Sequence, residues 1–220
     1  MSIRKTTVID TSSFYEEDGS TSYTIVGTPT IDEGVFKNLN YQNYINLPFF
    51  DFKNKAFSYS AIVNFTTEDL SNARTTIFGQ DGVDYKLPSL VSENGKPHLY
   101  YSTNGTAWAV NTTINTFSFE ANKDYCCEFV VDLSTIKLKI NSAEIYSNTY
   151  AGITYDIGSN KLRLGGTLSG YTNWNLKGSI KNMVVKISDK IVWTSIGAYL
   201  QNSRAKIGKN FVASNTFYEV

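Results

Sequence analysis

Apolar residues in this chain recur at every second position far more often than at helical spacing, and the stretches that do so are short. "FSYSAIVNFTT" at 57–67 alternates without a break. Phe57, Tyr59, Ala61, Val63 and Phe65 fall on one parity, and Ser58, Ser60, Ile62 and Asn64 on the other. Successive strand side chains point to opposite faces, so this is a strand with one buried face. "GVFKNLNYQNYINLP" at 34–48 predicts two short strands with a tight turn near Asn38 to Asn40. "TTIFGQ" (75–80), "LPSLVSE" (87–93) and "NKLRLGG" (160–166) predict three more, the last stopped by its two glycines.

Two hairpins follow from turn chemistry. "HLYYSTNGTAWAV" at 98–110 turns at Asn104-Gly105, a pair that accepts positive φ at both positions, with Tyr100, Tyr101 and Trp108 around it. "TIKLKINSAEIYS" at 135–147 turns at Asn141-Ser142. "DYCCEFVVDL" at 124–133 is apolar on both parities, which predicts a strand covered on both faces. "LKGSIKNMVVKISDKIVW" at 176–193 reads as one closing strand that changes parity: Leu176, Gly178 and Ile180 share one, Met183, Val185 and Ile187 the other. Strands recurring this often with short turns predict a sandwich or barrel. No linker splits residues 6–194, and the tail at 194–220 is more polar and lacks alternation, as a short helix and arm would.

The order of these segments resembles the laminin G-like, or concanavalin A-like, jelly-roll superfamily. "GVFKNLNYQNYINLP" is similar to the family's early stretch, and "FSYSAIVNF" to its F-T-x-x-x-W-V strand, without the Trp. "KDYCCEFVVDLSTIKLKINSAEIYS" resembles the strand pair ending in L-Y-V-N-G, with Asn141-Ser142 where Asn-Gly is usual. "NKLRLGG" and "LKGSIKNMVVKIS" resemble the closing pair, whose last strand also switches parity. The resemblance implies an all-β, two-sheet antiparallel jelly-roll sandwich at 30–193, preceded by a segment at 1–29 that is partly an edge strand and followed by an arm at 194–220. It also implies a β-bulge near Lys181-Asn182, one extra residue that lets both apolar sets face the core. Gly178 is then a close-approach position. The predicted core is Phe36, Ile45, Phe57, Tyr59, Val63, Phe65, Phe129, Val131, Leu138, Ile140, Leu162, Leu164, Ile180, Met183 and Val185.

Composition narrows the function. The 220 residues are 41% hydrophobic and 18% charged, and twenty basic residues cancel twenty acidic ones. The balance gives no general pull toward nucleic acid or acidic membranes. No apolar run approaches the roughly 18 residues that cross a bilayer, so no membrane insertion is expected. The basic N-terminus has no apolar stretch behind it, which reads as no signal peptide and synthesis in a cytoplasm. The adjacent Cys126 and Cys127 are expected to be reduced thiols packed as small apolar groups. With His98 as the only histidine, neither a Cys/His zinc site nor a catalytic triad is supported.

Three chemistries remain. Polysaccharide cleavage, known in the superfamily, needs two carboxyl groups flanking the scissile bond, and no strand here carries the family's E-x-D-x-x-E. "GQDGVDYK" at 79–86 places Asp81 and Asp84 around a glycine, which suits either a Ca²⁺ ion on the rim or a plain turn. Sugar binding needs an aromatic platform edged by amides and hydroxyls. "SGYTNWN" at 169–175 has that make-up in Tyr171, Asn173 and Trp174, and Tyr101 and Trp108 near the hairpin turn join the candidates. Trp193 is expected at the sandwich edge. Three N-x-Ser/Thr triplets, at Asn64, Asn104 and Asn111, follow from composition.

Phage particles use such sandwiches as head decorations, head fibres, tail appendages and receptor-binding modules. The resemblance therefore points to a non-enzymatic virion structural or attachment protein, with other virion proteins, copies of itself or a cell-surface glycan as partners. A free-standing carbohydrate-binding lectin is the alternative, and a glycoside hydrolase a distant third. The apolar residues of the tail, among them Tyr199, Leu200, Phe211 and Phe217, suit an arm laid on a neighbouring chain, or one folded back on its own sandwich.

Overall fold

The computed structural model of the chain describes residues 23–80, 89–102, 108–150, 161–165 and 174–195. Two antiparallel sheets face each other. One runs in the order β1 (Thr24–Val26), β4 (Tyr44–Asn46), β13 (Leu162–Leu164), β6 (Thr75–Gln80), β7 (Ser89–Glu93), β8 (Lys96–Tyr101), β9 (Val110–Thr113). The other runs β12 (Ala143–Thr149), β11 (Thr135–Ile140), β10 (Asp124–Asp132), β5 (Phe57–Asn64), β14 (Leu176–Ile187), β3 (Val35–Leu39), β2 (Thr30–Asp32), with β15 (Lys190–Thr194) on β14. This is the jelly-roll sandwich that the alternation and the resemblance predict.

Alternation decides what lies between the sheets. β5 buries Phe57, Tyr59, Ala61 and Val63 and leaves the other parity half-exposed. Tyr59 packs edge-on to Phe78 from the opposite sheet and stacks on Phe129 of β10. All fifteen residues predicted for the core are buried, and Phe52, Phe78, Leu99, Tyr125 and Trp193 join them. Trp193 lies on β15, which pairs with β14 alone, and its side chain is fully enclosed. The Asn141-Ser142 turn has φ of 50° and 69°, the doubly positive pair of a tight hairpin.

The parity change in β14 is a bulge. Lys181 pairs with Ile62 and Val184 with Ser60, so Asn182 and Met183 share one partner position. Asn182 takes φ of 52°, and Ile180, Met183 and Val185 all enter the core. The Met183 N–H, freed from the ladder, donates to the buried Ser195 Oγ at 3.1 Å.

Four expectations need correction. The strands of 34–48 do not pair with each other: β3 and β4 belong to different sheets, and the turn lies at 40–43, held by Asn40. β10 is buried on one face only, because its other face is the outside of the sheet. For the same reason Cys127 is packed but Cys126 is exposed. The closing segment is a hairpin, reversing at Ser188 and Asp189, both at positive φ. The hairpin predicted at 98–110 is present, with β8 and β9 paired antiparallel from His98 and Thr113 to Tyr101 and Val110. Asn104-Gly105 itself and the tail from 196 lie outside the described residues.

One short helix, α1 (Thr67–Ser71), went unpredicted. Thr66 and Asp69 form a reciprocal capping box at its start. Asp69 is fully buried, and its carboxylate also accepts from the backbone of β14. That contact fixes the end of the first sheet near β6 and β7 against the second.

Candidate functional site

On β8, Leu99 and Tyr101 point into the sandwich, so His98 and Tyr100 point to the outer face of the seven-stranded sheet. The register brings Glu93 of β7 and Asn111 and Thr113 of β9 to the same face. Arg74, one residue before β6, reaches it from the other side. The face carries a polar network and an aromatic one, and both meet at His98 and Tyr100.

The polar network centres on Glu93. Arg74 donates from Nε and Nη2 to Glu93 Oε1, at 2.9 and 2.8 Å. Thr113 Oγ1 donates to Glu93 Oε2. The Nδ1 of buried His98 lies 2.8 Å from both Glu93 Oε2 and Thr113 Oγ1, and its Nε2 lies 2.9 Å from Asn111 Oδ1. Burial alone would push the Glu93 carboxyl up. Hydrogen bonds from Thr113 and Arg74, with His98 adjacent, outweigh it and hold the group at about 2. The threonine and the carboxylate both meet the same imidazole nitrogen. A proton relay needs them on opposite nitrogens, so this trio is not built as a triad.

The aromatic network centres on Tyr100. Its ring lies 4.5 Å from His98 and 5.2 Å from Trp108. The Trp174 ring is nearly parallel to it, at 6.4 Å and 18°. The Arg74 guanidinium carbon sits 4.9 Å from the Trp174 ring centre and 5.5 Å from that of Tyr100. Trp108, Trp174, Arg74 and Glu93 are half-buried, and Asn111 is exposed.

The structure thus brings Trp108 and Trp174 together on one platform through Tyr100. Tyr101 does not join them. It is fully buried in the core, facing Tyr150, because the parity that turns Tyr100 outward turns Tyr101 inward. Tyr171 and Asn173, and the calcium candidates Asp81 and Asp84, lie outside the described residues. Among the described residues no three of His, Cys, Asp and Glu come together to hold a metal ion. Arg74 and Glu93 were not singled out from sequence, and Asn111 was noted only as the start of an N-x-Thr triplet. Alternation on either side of Leu90 and Leu99 could have placed Glu93 beside His98, but nothing local marks Arg74 as their partner.

Residues 39–187 match the model of the concanavalin A-like lectin/glucanases superfamily, which is more than half the chain. The chain belongs to that superfamily. No curated protein matches it in sequence. Among solved structures it is similar in fold to the botulinum neurotoxin serotype D binding domain, with TM-score 0.58 and 13% identity over 76% of this chain and 44% of that one. The receptor binding domain of the C/D mosaic serotype gives 0.57 and 11%, over 78% and 46%. A structure of botulinum neurotoxin type C, whose cell entry depends on interaction with two ganglioside molecules, gives 0.57 and 12%, over 87% and 50%. The chain spans about half the length of these toxin domains.

Proposed function

We propose that the protein is a non-enzymatic attachment module that holds a carbohydrate on the Tyr100–Trp108–Trp174 platform. The observation that carries this is the approach of Trp108 and Trp174 to the same Tyr100 ring, with both indoles only half-buried. Pyranose rings present C–H faces that pack on aromatic rings, and their hydroxyls need donors and acceptors at the rim. Arg74 and the exposed Asn111 supply those. A retaining hydrolase needs two carboxyl groups about 5 Å apart, whereas Glu93 is the sole carboxylate among the described platform residues and is tied to Arg74. At the level of ligand class alone, the ganglioside interaction of the type C toxin, half of whose chain is covered, supports a glycan.

The setting we propose is a phage particle. The low charge, the Asn-, Thr- and Ser-rich composition and the large apolar residues within the tail at 194–220 support it, those residues being suited to dock on neighbouring subunits. Two experiments separate the parts. Binding to an oligosaccharide array, lost in folded Trp174→Ala and Trp108→Ala variants, tests the site. Gene neighbours test the setting: capsid, portal or tail genes support it, and polysaccharide-utilisation enzymes replace it with a free-standing lectin.

A further inference from the structure

Arg74 brings a fixed positive charge to the platform, and that charge is already matched. Two of its N–H groups converge on Glu93 Oε1. Glu93 is clamped on its other oxygen by Thr113 and His98, so it is not free to swing away and leave the guanidinium bare. Both Arg74 and Glu93 lie at the platform's edge, against the Trp174 and Tyr100 rings and the His98 imidazole respectively.

We infer that the platform selects neutral glycans, hexoses or N-acetylhexosamines, and rejects sugars that carry a carboxylate, sulfate or phosphate group. This rests on the glycan-binding reading above. An acidic sugar is recognised by an unpaired guanidinium fork that takes both of its oxygens. Here the fork is turned onto Glu93, and an incoming anion would meet that carboxylate as a like charge. A neutral pyranose makes no such demand. It needs aromatic rings, which the half-buried Trp108 and Trp174 bring, and rim polar groups. The described hydrogen bonds of Arg74 leave Nη1 over for that, and the Asn111 amide stands at the exposed rim. Because Glu93 stays ionised down to about 2, no ordinary working pH releases Arg74. Gangliosides, being sialylated, belong to the class this site turns away.

The test uses the full chain on an array of neutral galactose-, glucose-, mannose- and N-acetylglucosamine-terminated oligosaccharides, each paired with its sialylated or sulfated form. The wild-type protein should hold the neutral member more tightly by about tenfold, a factor well within one strong charge contact. Glu93→Gln should shrink or invert that ratio by releasing Arg74, and Arg74→Gln should widen it by leaving Glu93 unmatched. Circular dichroism checks that both variants fold, and if Glu93→Gln does not, the wild-type and Arg74→Gln ratios decide. Equal or tighter binding of the acidic members by wild type overturns the charge selection and leaves the glycan-binding reading standing. Failure of the folded protein to hold any glycan overturns both.

Discussion

Gly178 and Asp69, 109 residues apart in the chain, are joined by a 2.9 Å hydrogen bond from the Gly178 N–H to Asp69 Oδ2. The neighbouring Lys177 N–H donates to Oδ1 at 2.7 Å. The same carboxylate closes the capping box with Thr66. Asp69 therefore couples α1 to the start of the closing strand. Gly178 has no room for a side chain: a Cβ there would stand 1.9 Å from the Asn64 carbonyl oxygen.

Loss of this contact should cost stability in two distinguishable ways. A hydrogen bond to a charged group contributes roughly 1.5–3 kcal/mol, so Asp69→Asn, which keeps the shape and removes one acceptor oxygen, should cost about that much. Gly178→Ala should cost about 1–3 kcal/mol through overpacking, with the carboxylate intact. Urea melts of the two variants and the double mutant check this. Near-additive losses would show that the two residues do not act as one unit.

Acid should remove the contribution of Glu93. Its carboxyl is held at about 2 in the folded chain, against 4.5 ordinarily. A depressed carboxyl stabilises the fold fully above its unfolded value, and that contribution fades as pH falls through the folded one. The melting-temperature gap between wild type and Glu93→Gln should therefore be constant above about pH 5 and close toward pH 2. A gap that stays constant down to pH 2 would remove the carboxylate from the network.

The two thiols should differ in access. Cys126 is exposed, and Cys127 is enclosed in the core. Burial pushes both thiols up, with Glu128 adding to the effect at Cys126 and Cys126 at Cys127. Native protein should react with a disulfide reagent at one cysteine, slowly near neutral pH and faster in base, and at the second only on unfolding. Two equally fast reactions would mean that β10 is not packed as described.

Where alternation met turn chemistry, the fold was legible in the sequence. The inward face of β5, the Asn141-Ser142 turn and the bulge at Asn182 could each be read from residue types a few positions apart. What was missed depended on distant partners. Whether β3 and β4 pair or part is set by the register of β13 and β14, not by the residues between them. Cys126 and Val130 looked like buried positions because apolar residues are common on the half-covered outer face of a sheet. In the site, Trp108 and Trp174 were visible as loop aromatics, but one step of parity separates Tyr100 from Tyr101, and a loop-level reading cannot choose between them. Arg74 and Glu93 belong to the site only through strand register.

The central claim is that a sugar lies on the Tyr100 platform, and the chain's three tryptophans provide the means to test it. Trp108 and Trp174 stand on the platform, while Trp193 is sealed in the core. In ¹⁵N-labelled protein each gives one indole N–H signal. Titration with a neutral oligosaccharide should move the Trp108 and Trp174 signals together, with one dissociation constant, and leave Trp193 in place. Movement of neither platform signal by a glycan that the protein demonstrably binds would put the site elsewhere and contradict the account.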